Sequence, residues 1–330
     1  MKEVYPGIFL IKEKGAFGPI RPTENIFILA GHDGLIYDAG YGKKKDIKAF
    51  LAEFEKIKHL FNEQKKPFNV IRILPSHAHP DHFSGLKSLR KHLGVKILLT
   101  NRTAELIKSK KIFIKHYEPN YKEDYLISKF SIKDRLQAWL YRLIYPRIYG
   151  LTFIRNPDII IDEKTDISIN DEKWSIFPSP GHASDHLSLY NEEKGILFSG
   201  DNIIKKINTW LGPPLSNVED YIKSIEFIQN LPKLEIIFSA HGSPIKKPKK
   251  RITEILHHRE ERTQQVLDLV KESFKEGISP SGIIHSLYPN ATNMMNKVAR
   301  GWICLTLKML EEKNFIKREI GKKHILFFPA

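Results

Sequence analysis

The sequence predicts a mixed α/β protein in which sheets are flanked by helices. Three observations predict it. Short strands crowd the first 40 residues, β-branched apolar runs alternate with helical stretches from Asn69 onward, and the C-terminal part reads as three helices followed by a hairpin.

Val4 to Lys12, Asn25 to Gly31 and Leu35 to Asp38 read as strands punctuated by Gly and Pro, and Lys45 to Phe61 as an amphipathic helix. The runs VIRIL (70–74), VKILL (95–99), WSIF (174–177), LSLY (187–190), ILF (196–198) and EIIF (235–238) are further strand candidates. A segment of about residues 107–156 breaks this rhythm and reads as a helical insertion, with 11 Lys or Arg against 4 acids from Ile107 to Asn156. Its apolar positions Phe130, Leu136, Trp139, Leu140, Leu143 and Ile144 recur at near-helical spacing, which suits a helix packed on its own domain, a cap over a pocket or a membrane-surface helix. Lys246, Lys247, Lys249, Lys250 and Arg251 cannot be buried together, so the boundary between residues 1–245 and 246–330 is placed there. Beyond it, helices over about 252–274, from Ser279–Pro280, and over about 291–313 precede a hairpin turning near Gly321, the order of a winged helix.

With 330 residues, 41% of them hydrophobic, the chain can bury a sizeable core, which excludes disordered, collagen-like and disulfide-scaffold classes. A formal charge of +15 favours anionic partners, although abundant Lys and Ile equally fit a high growth temperature or a biased genome. Cys304 is the only cysteine, which excludes an intramolecular disulfide and a thiolate cage and leaves His, Asp and Glu to hold any metal. The N-terminus has an acid at position 3, Pro6 and too short an apolar run for a signal peptide, and no stretch approaches the roughly 20 apolar residues of a membrane helix. A cytoplasmic location is expected.

His77, His79, Asp81 and His82 stand in SHAHPDHFSGL directly after a strand; imidazoles at i and i+2 can point the same way, and a carboxylate and a third imidazole follow within one turn. WSIFPSPGH ends in His182, GILFSGD in Asp201 and EIIFSAH in His241, each an apolar strand leading to a ligand type. This sulfur-free set suits zinc, with iron or manganese as alternatives. Seven ligands exceed what one tetrahedral zinc can use, so two divalent ions bridged by Asp201 are expected.

The HxHxDH loop, the later PGH, GD and AHG segments and the DAG at Asp38 to Gly40 resemble the metallo-β-lactamase superfamily over about residues 1–245. The resemblance implies an αββα sandwich with metals at one edge. It implies that His77, His79 and His182 hold one ion, that Asp81, His82 and His241 hold the other, and that Asp201 is shared. Asp38 would stand behind the ligands and orient the HxH loop, unless it is simply a turn residue. HHREERTQQVLDLV (257–270) and the helices and hairpin after it are similar to the C-terminal region of the subgroup that includes a β-lactamase-like endoribonuclease and acyl hydrolases. The 107–156 insertion departs from that pattern.

Such a centre would hydrolyse its substrate with a bridging hydroxide that Asp81 orients, without a covalent intermediate. The favoured substrate is a small ester, thioester or lactone, with insertion aromatics such as Tyr125, Trp139 and Tyr141 lining a pocket or cap. An endoribonuclease cleaving single-stranded RNA is the first alternative, and a non-enzymatic nucleic-acid-binding regulator the second. Ser76, Ser84 and Ser179 read as turn residues and His186 as a structural hydrogen bonder. Trp302 and its apolar neighbours suit either a homodimer or packing within one chain.

Overall fold

The computed structural model describes every residue except 17–20, 128–135, 137–143 and 322–324. A seven-stranded sheet runs in sequence order through β1 (Lys2–Tyr5), β2 (Ile8–Glu13), β3 (Glu24–Leu29), β4 (Gly34–Tyr37), β5 (Val70–Leu74), β6 (Lys96–Thr100) and β7 (Ile159–Ile161). Its pairs are antiparallel up to β4 and parallel from β4 to β7. A second sheet has the order β12-β11-β10-β9-β8, from β8 (Thr165–Ile169), β9 (Glu172–Pro178), β10 (Leu187–Asn191), β11 (Ile196–Phe198) and β12 (Ile236–Phe238); only β11 and β12 are parallel.

Side-chain alternation explains how the layers form. In β3, Phe27 and Leu29 enter the core between the sheets while Ile26 and Ile28 enter the core on the outer face. Between the sheets, Phe27 meets Phe198 and Phe238 with ring centroids 5.1 and 5.4 Å apart, and Trp174 packs on Phe198 at 5.8 Å. Ile47, Phe50, Phe54, Ile57 and Phe61 of the helix Lys44–Glu63 cover the first sheet, their spacing of three and four residues forming one helical stripe. The helices Val218–Gln229 and Pro248–Glu272 join Leu197 and Ile237 in the core outside the second sheet. Burying each such side chain contributes about 1.5–3 kcal/mol, so the three apolar layers, rather than any polar pair, hold the sandwich together.

The expected strand Val4–Lys12 is two strands, because Pro6 and Gly7, the latter at φ +76°, turn the chain between β1 and β2. The sequence carries weak signals for β7, which is only three residues long, and for β8, an alternating strand with a largely open face. The helix Pro248–Glu272 begins inside the basic run, with Pro248 in its first turn, where proline lacks no needed N–H. Helices Pro280–Leu287 and Asn293–Glu312 follow, capped by Ser279 and Thr292, and then the antiparallel pair β13 (Ile316–Ile320) and β14 (Ile325–Pro329). Within the insertion, Lys110–Tyr117, Tyr121–Asp124 and 144–149 are helical. Phe130, Trp139, Leu140, Tyr141 and Leu143 lie outside the described residues, whereas Leu136 and Ile144 are exposed rather than packed. Among the described residues no helix is long and apolar enough to cross a membrane.

Candidate metal centre

Asp38 follows β4, the HxHxDH turn follows β5, His182 follows β9, Asp201 follows β11 and His241 follows β12. The topology therefore delivers all of them to one edge of the sandwich. Two glycines let the turns close. Gly200, at φ +47°, has room for no side chain, since a Cβ there would lie 2.5 Å from His186 Nε2; at Gly181, φ +135°, it would lie 2.2 Å from Tyr221 Cα.

Ring nitrogens converge at this edge. His79 Nδ1 lies 2.7 Å from His77 Nε2 and 2.8 Å from His182 Nε2, and Asp201 Oδ2 lies 3.3 Å from His182 Nε2. On the other side, Asp201 Oδ1 lies 3.2 Å from His241 Nε2 and 3.7 Å from His82 Nε2. Asp81 flanks this pair, at 3.7 Å from His82 Nε2 and 3.9 Å from His241 Nε2. Two groups result whose potential ligand atoms lie within 4.8 Å of one another: His77, His79, His182 and Asp201, and Glu24, Asp81, His82 and His241.

Each ring but that of His79 is fixed from behind by its other nitrogen. His182 Nδ1 and His241 Nδ1 donate to the carbonyls of Trp210 and Thr23, both at 2.8 Å, and His77 Nδ1 contacts Ser76 Oγ at 2.9 Å. His82 Nδ1 lies 3.2 Å from both Asp38 Oδ2 and Ser76 Oγ, while Asp38 Oδ1 accepts the Ser76 N–H at 2.7 Å. Asp38 thus holds both the HxH loop and one of its rings. Ser76 and Ser179 do more than turn the chain, since Ser179 Oγ contacts His186 Nδ1 at 2.9 Å.

Burial, reinforced by neighbouring imidazoles, holds His77 and His79 well below the usual histidine range; burial lowers His182 too, against the opposing pull of Asp201. These three rings are neutral and present lone pairs. Burial opposes charging of His82 and His241 as well, but Glu24 and Asp38 outweigh it at His82, and Asp201 and Glu24 at His241, so both are raised well above that range. Burial likewise opposes ionisation of Asp201, yet His241 and His82 hold it well below the usual carboxylate range.

The donor set fits a cation. Three neutral ring nitrogens meeting at His79 Nδ1 cannot satisfy one another with single protons, and His82 Nε2 and Asp201 Oδ1 are buried without hydrogen-bond partners. An ion that accepts several lone pairs resolves both features, and neutral imidazoles with carboxylates suit a divalent first-row metal.

All seven sequence-predicted ligands come together here, with Asp38 behind them. Tyr125 is placed otherwise: its hydroxyl donates to the Pro213 carbonyl at 3.4 Å and its carbonyl accepts from Arg300 Nε at 2.8 Å, so it ties the insertion to the helix Asn293–Glu312. Trp139 and Tyr141 lie outside the described residues. Sequence reasoning missed Glu24, whose only signal is a charge at the head of the apolar strand ENIFIL. It also missed Tyr117, which donates to the Ala78 carbonyl and packs on His79 with ring centroids 5.6 Å apart.

Two facing sheets with helices outside and a buried histidine–carboxylate cluster at one edge define an α/β sandwich with a candidate metal centre. The profile of the metallo-beta-lactamase superfamily matches residues 21–241, and the chain belongs to that superfamily, whose members are generally hydrolases. It is 27% identical over 150 residues to the beta-lactamase-like protein 2 homolog of Caenorhabditis elegans, covering 46% of this chain and 48% of that protein. It is 32% identical over 153 residues to lactamase-like protein aptB of Emericella nidulans, covering 43% and 47%. The chain thus spans about half the length of these two relatives. The beta-lactamase-like protein 2 homolog of Drosophila melanogaster is 24% identical over 283 residues, covering 82% of this chain and 75% of that protein. In fold, the chain is similar to a beta-lactamase domain protein from Burkholderia ambifaria, with a TM-score of 0.76 at 19% identity, covering 100% of this chain and 94% of the other. A metallo-beta-lactamase family protein from Thermus thermophilus gives 0.71 at 19% identity, covering 99% and 100%.

Proposed function

We propose that this chain hydrolyses a small ester, thioester or lactone at a centre of two divalent ions, zinc or alternatively iron or manganese. His77, His79 and His182 would hold one ion, Asp81, His82 and His241 the other, and Asp201 both. The observation that carries this reading is the division of Asp201, whose Oδ2 faces His182 while Oδ1 faces His82 and His241. When bound, such ions supply a water ionised near neutral pH and a Lewis acid for the carbonyl under attack.

The chain's own residues do the rest. Asp81, at the rim of the cluster, accepts a hydrogen bond from the attacking hydroxide, orients it, and passes its proton to the leaving group. The neutral rings of His77, His79 and His182 keep the centre's positive charge free of competing protons. Tyr117 against His79, and the partly exposed Trp210 on the loop that anchors His182, give an acyl substituent apolar surface. In this reading residues 1–245 carry the chemistry and residues 246–330 form a winged-helix-like unit beside them.

A second reading, cleavage of single-stranded RNA, is favoured by the exposed Lys205 and Lys206 on the loop after Asp201 and by the exposed Lys246, Lys247, Lys249 and Lys250. Turnover of an ester, thioester and lactone panel and of labelled single-stranded RNA across a salt series separates the two. Acyl turnover with weak salt dependence, lost on chelation, supports the first; RNA cleavage that falls steeply with salt supports the second. Activity of either kind that survives complete metal removal defeats both.

A further inference from the structure

Glu24 opens β3 and its side chain is fully buried. Its Oε1 lies 3.5 Å from His82 Nδ1 and its Oε2 lies 3.3 Å from His241 Nδ1, and neither buried oxygen has a hydrogen-bond partner among the described residues. The opposite nitrogen of each ring, Nε2, faces Asp201. One carboxylate therefore stands behind two histidines contributed by turns about 160 residues apart in the sequence. Asp38 reaches His82 from the same side, whereas the other Nδ1 contact of His241 is the carbonyl of Thr23, so among the described residues only Glu24 approaches the Nδ1 atoms of both rings. A buried carboxylate facing two ring nitrogens is tolerated where those nitrogens carry protons and cationic charge lies beyond them.

We propose that Glu24 is a positioning residue: together with Asp38 and the Thr23 carbonyl it keeps the protons of His82 and His241 on Nδ1, so that both Nε2 lone pairs face the second ion. Glu24 acts through the rings and is not itself a ligand. The inference rests on the two-ion reading above.

The test is calorimetric titration of metal-free protein with Zn2+, repeated with Co2+ to read the absorption spectrum of each site, for the wild-type chain, Glu24→Gln and Glu24→Ala. The expected result is a 10- to 100-fold weaker second ion with the first unchanged, and a Glu24→Gln protein whose second-site Co2+ spectrum keeps the wild-type shape. Wild-type affinity for both ions in both variants overturns the proposal. A changed second-site coordination spectrum in Glu24→Gln overturns it too, by making Glu24 a direct ligand. Ring-nitrogen NMR of the wild-type Zn2+ protein needs no variant to fold: Nδ1–H on His82 and His241 is expected, and Nε2–H on either overturns the assignment. A wild-type chain that binds a single equivalent defeats the two-ion reading, and comparison of the ring-nitrogen spectra of wild type and Glu24→Ala still decides Glu24, since unchanged Nδ1–H signals on both rings overturn its role.

Discussion

His186 Nε2 accepts the backbone N–H of Asp201 at 3.2 Å, so a buried histidine outside the candidate ligand set fixes the turn that carries the Asp201 carboxylate. Accepting at Nε2 places the ring proton on Nδ1, where it is donated to Ser179 Oγ. Burial first, then the neighbouring His182, pushes this ring down to about 3.

That shift sets an acid dependence. Between about 6.5 and 3 the unfolded chain binds the His186 proton and the folded chain does not, so this group's contribution to stability falls as pH drops, by about 1.4 kcal/mol per unit. His186→Asn is expected to be less stable than wild type at pH 7 by about 1–3 kcal/mol, through the lost acceptor, and to show a shallower acid limb. Urea unfolding of the metal-free proteins at pH 7 and pH 5 measures both. Parallel pH profiles would count against a neutral buried His186.

Asp201→Ala and His79→Ala are each expected to abolish metal-dependent turnover on every substrate, by at least about three orders of magnitude, as the loss of a ligand at the reacting centre requires. Initial rates together with metal content check this. Metal-replete variants that turn over at the wild-type rate would remove the centre from the reaction.

Glu13 offers a prediction of opposite sign. Its Oε2 accepts the Tyr41 N–H at 2.8 Å, and burial pushes its carboxyl up to about 8. From an ordinary value near 4.5 up to about 8, the folded state binds the extra proton, so stability from this group is present below 4.5 and lost as pH rises. Glu13→Gln keeps an acceptor for Tyr41 and does not titrate. It is expected to equal wild type near pH 4.5 and to exceed it at pH 8 by about 1–4 kcal/mol, read from denaturant midpoints.

Gly200→Ala and Gly94→Ala form a matched pair. Both glycines have positive φ, but a Cβ at Gly94 meets nothing within 4 Å, whereas at Gly200 it would also lie 2.9 Å from Ser76 Cβ. Gly94→Ala should cost about 1 kcal/mol and Gly200→Ala about 3 kcal/mol or more, with loss of metal only in the second. Thermal unfolding and metal content distinguish them.

The candidate ligands were legible because imidazoles and carboxylates at the ends of apolar strands stand out against their surroundings. Gly200 and Gly181 marked the same turns. Glu24 was not legible, since its partners at 82 and 241 are set by which strands pair, and β3 by itself gives no sign of what lies beyond its first residue. Tyr117 was hidden for a similar reason: it reaches the Ala78 carbonyl only because the helix Lys110–Tyr117 folds back over the HxH loop. Sheets flanked by helices could be read from hydrophobic period and the two-sheet sandwich from the motif resemblance, but β7 and β8 could not, because half-open strands carry too few apolar residues to show a pattern.

The helix Asn293–Glu312 leans on the loop that anchors His182. A Cβ on Gly301 would lie 3.4 Å from the Leu211 carbonyl oxygen, and Arg300 grips the carbonyls of Tyr125 and Leu126 at 2.8 and 3.1 Å. Every candidate ligand precedes residue 242, yet the brace for one of them lies some sixty residues later in the chain. The loop whose Trp210 carbonyl holds His182 is thus sandwiched between the cluster and the last long helix, so truncating the chain before that helix would strip the support from one side of an edge it never enters.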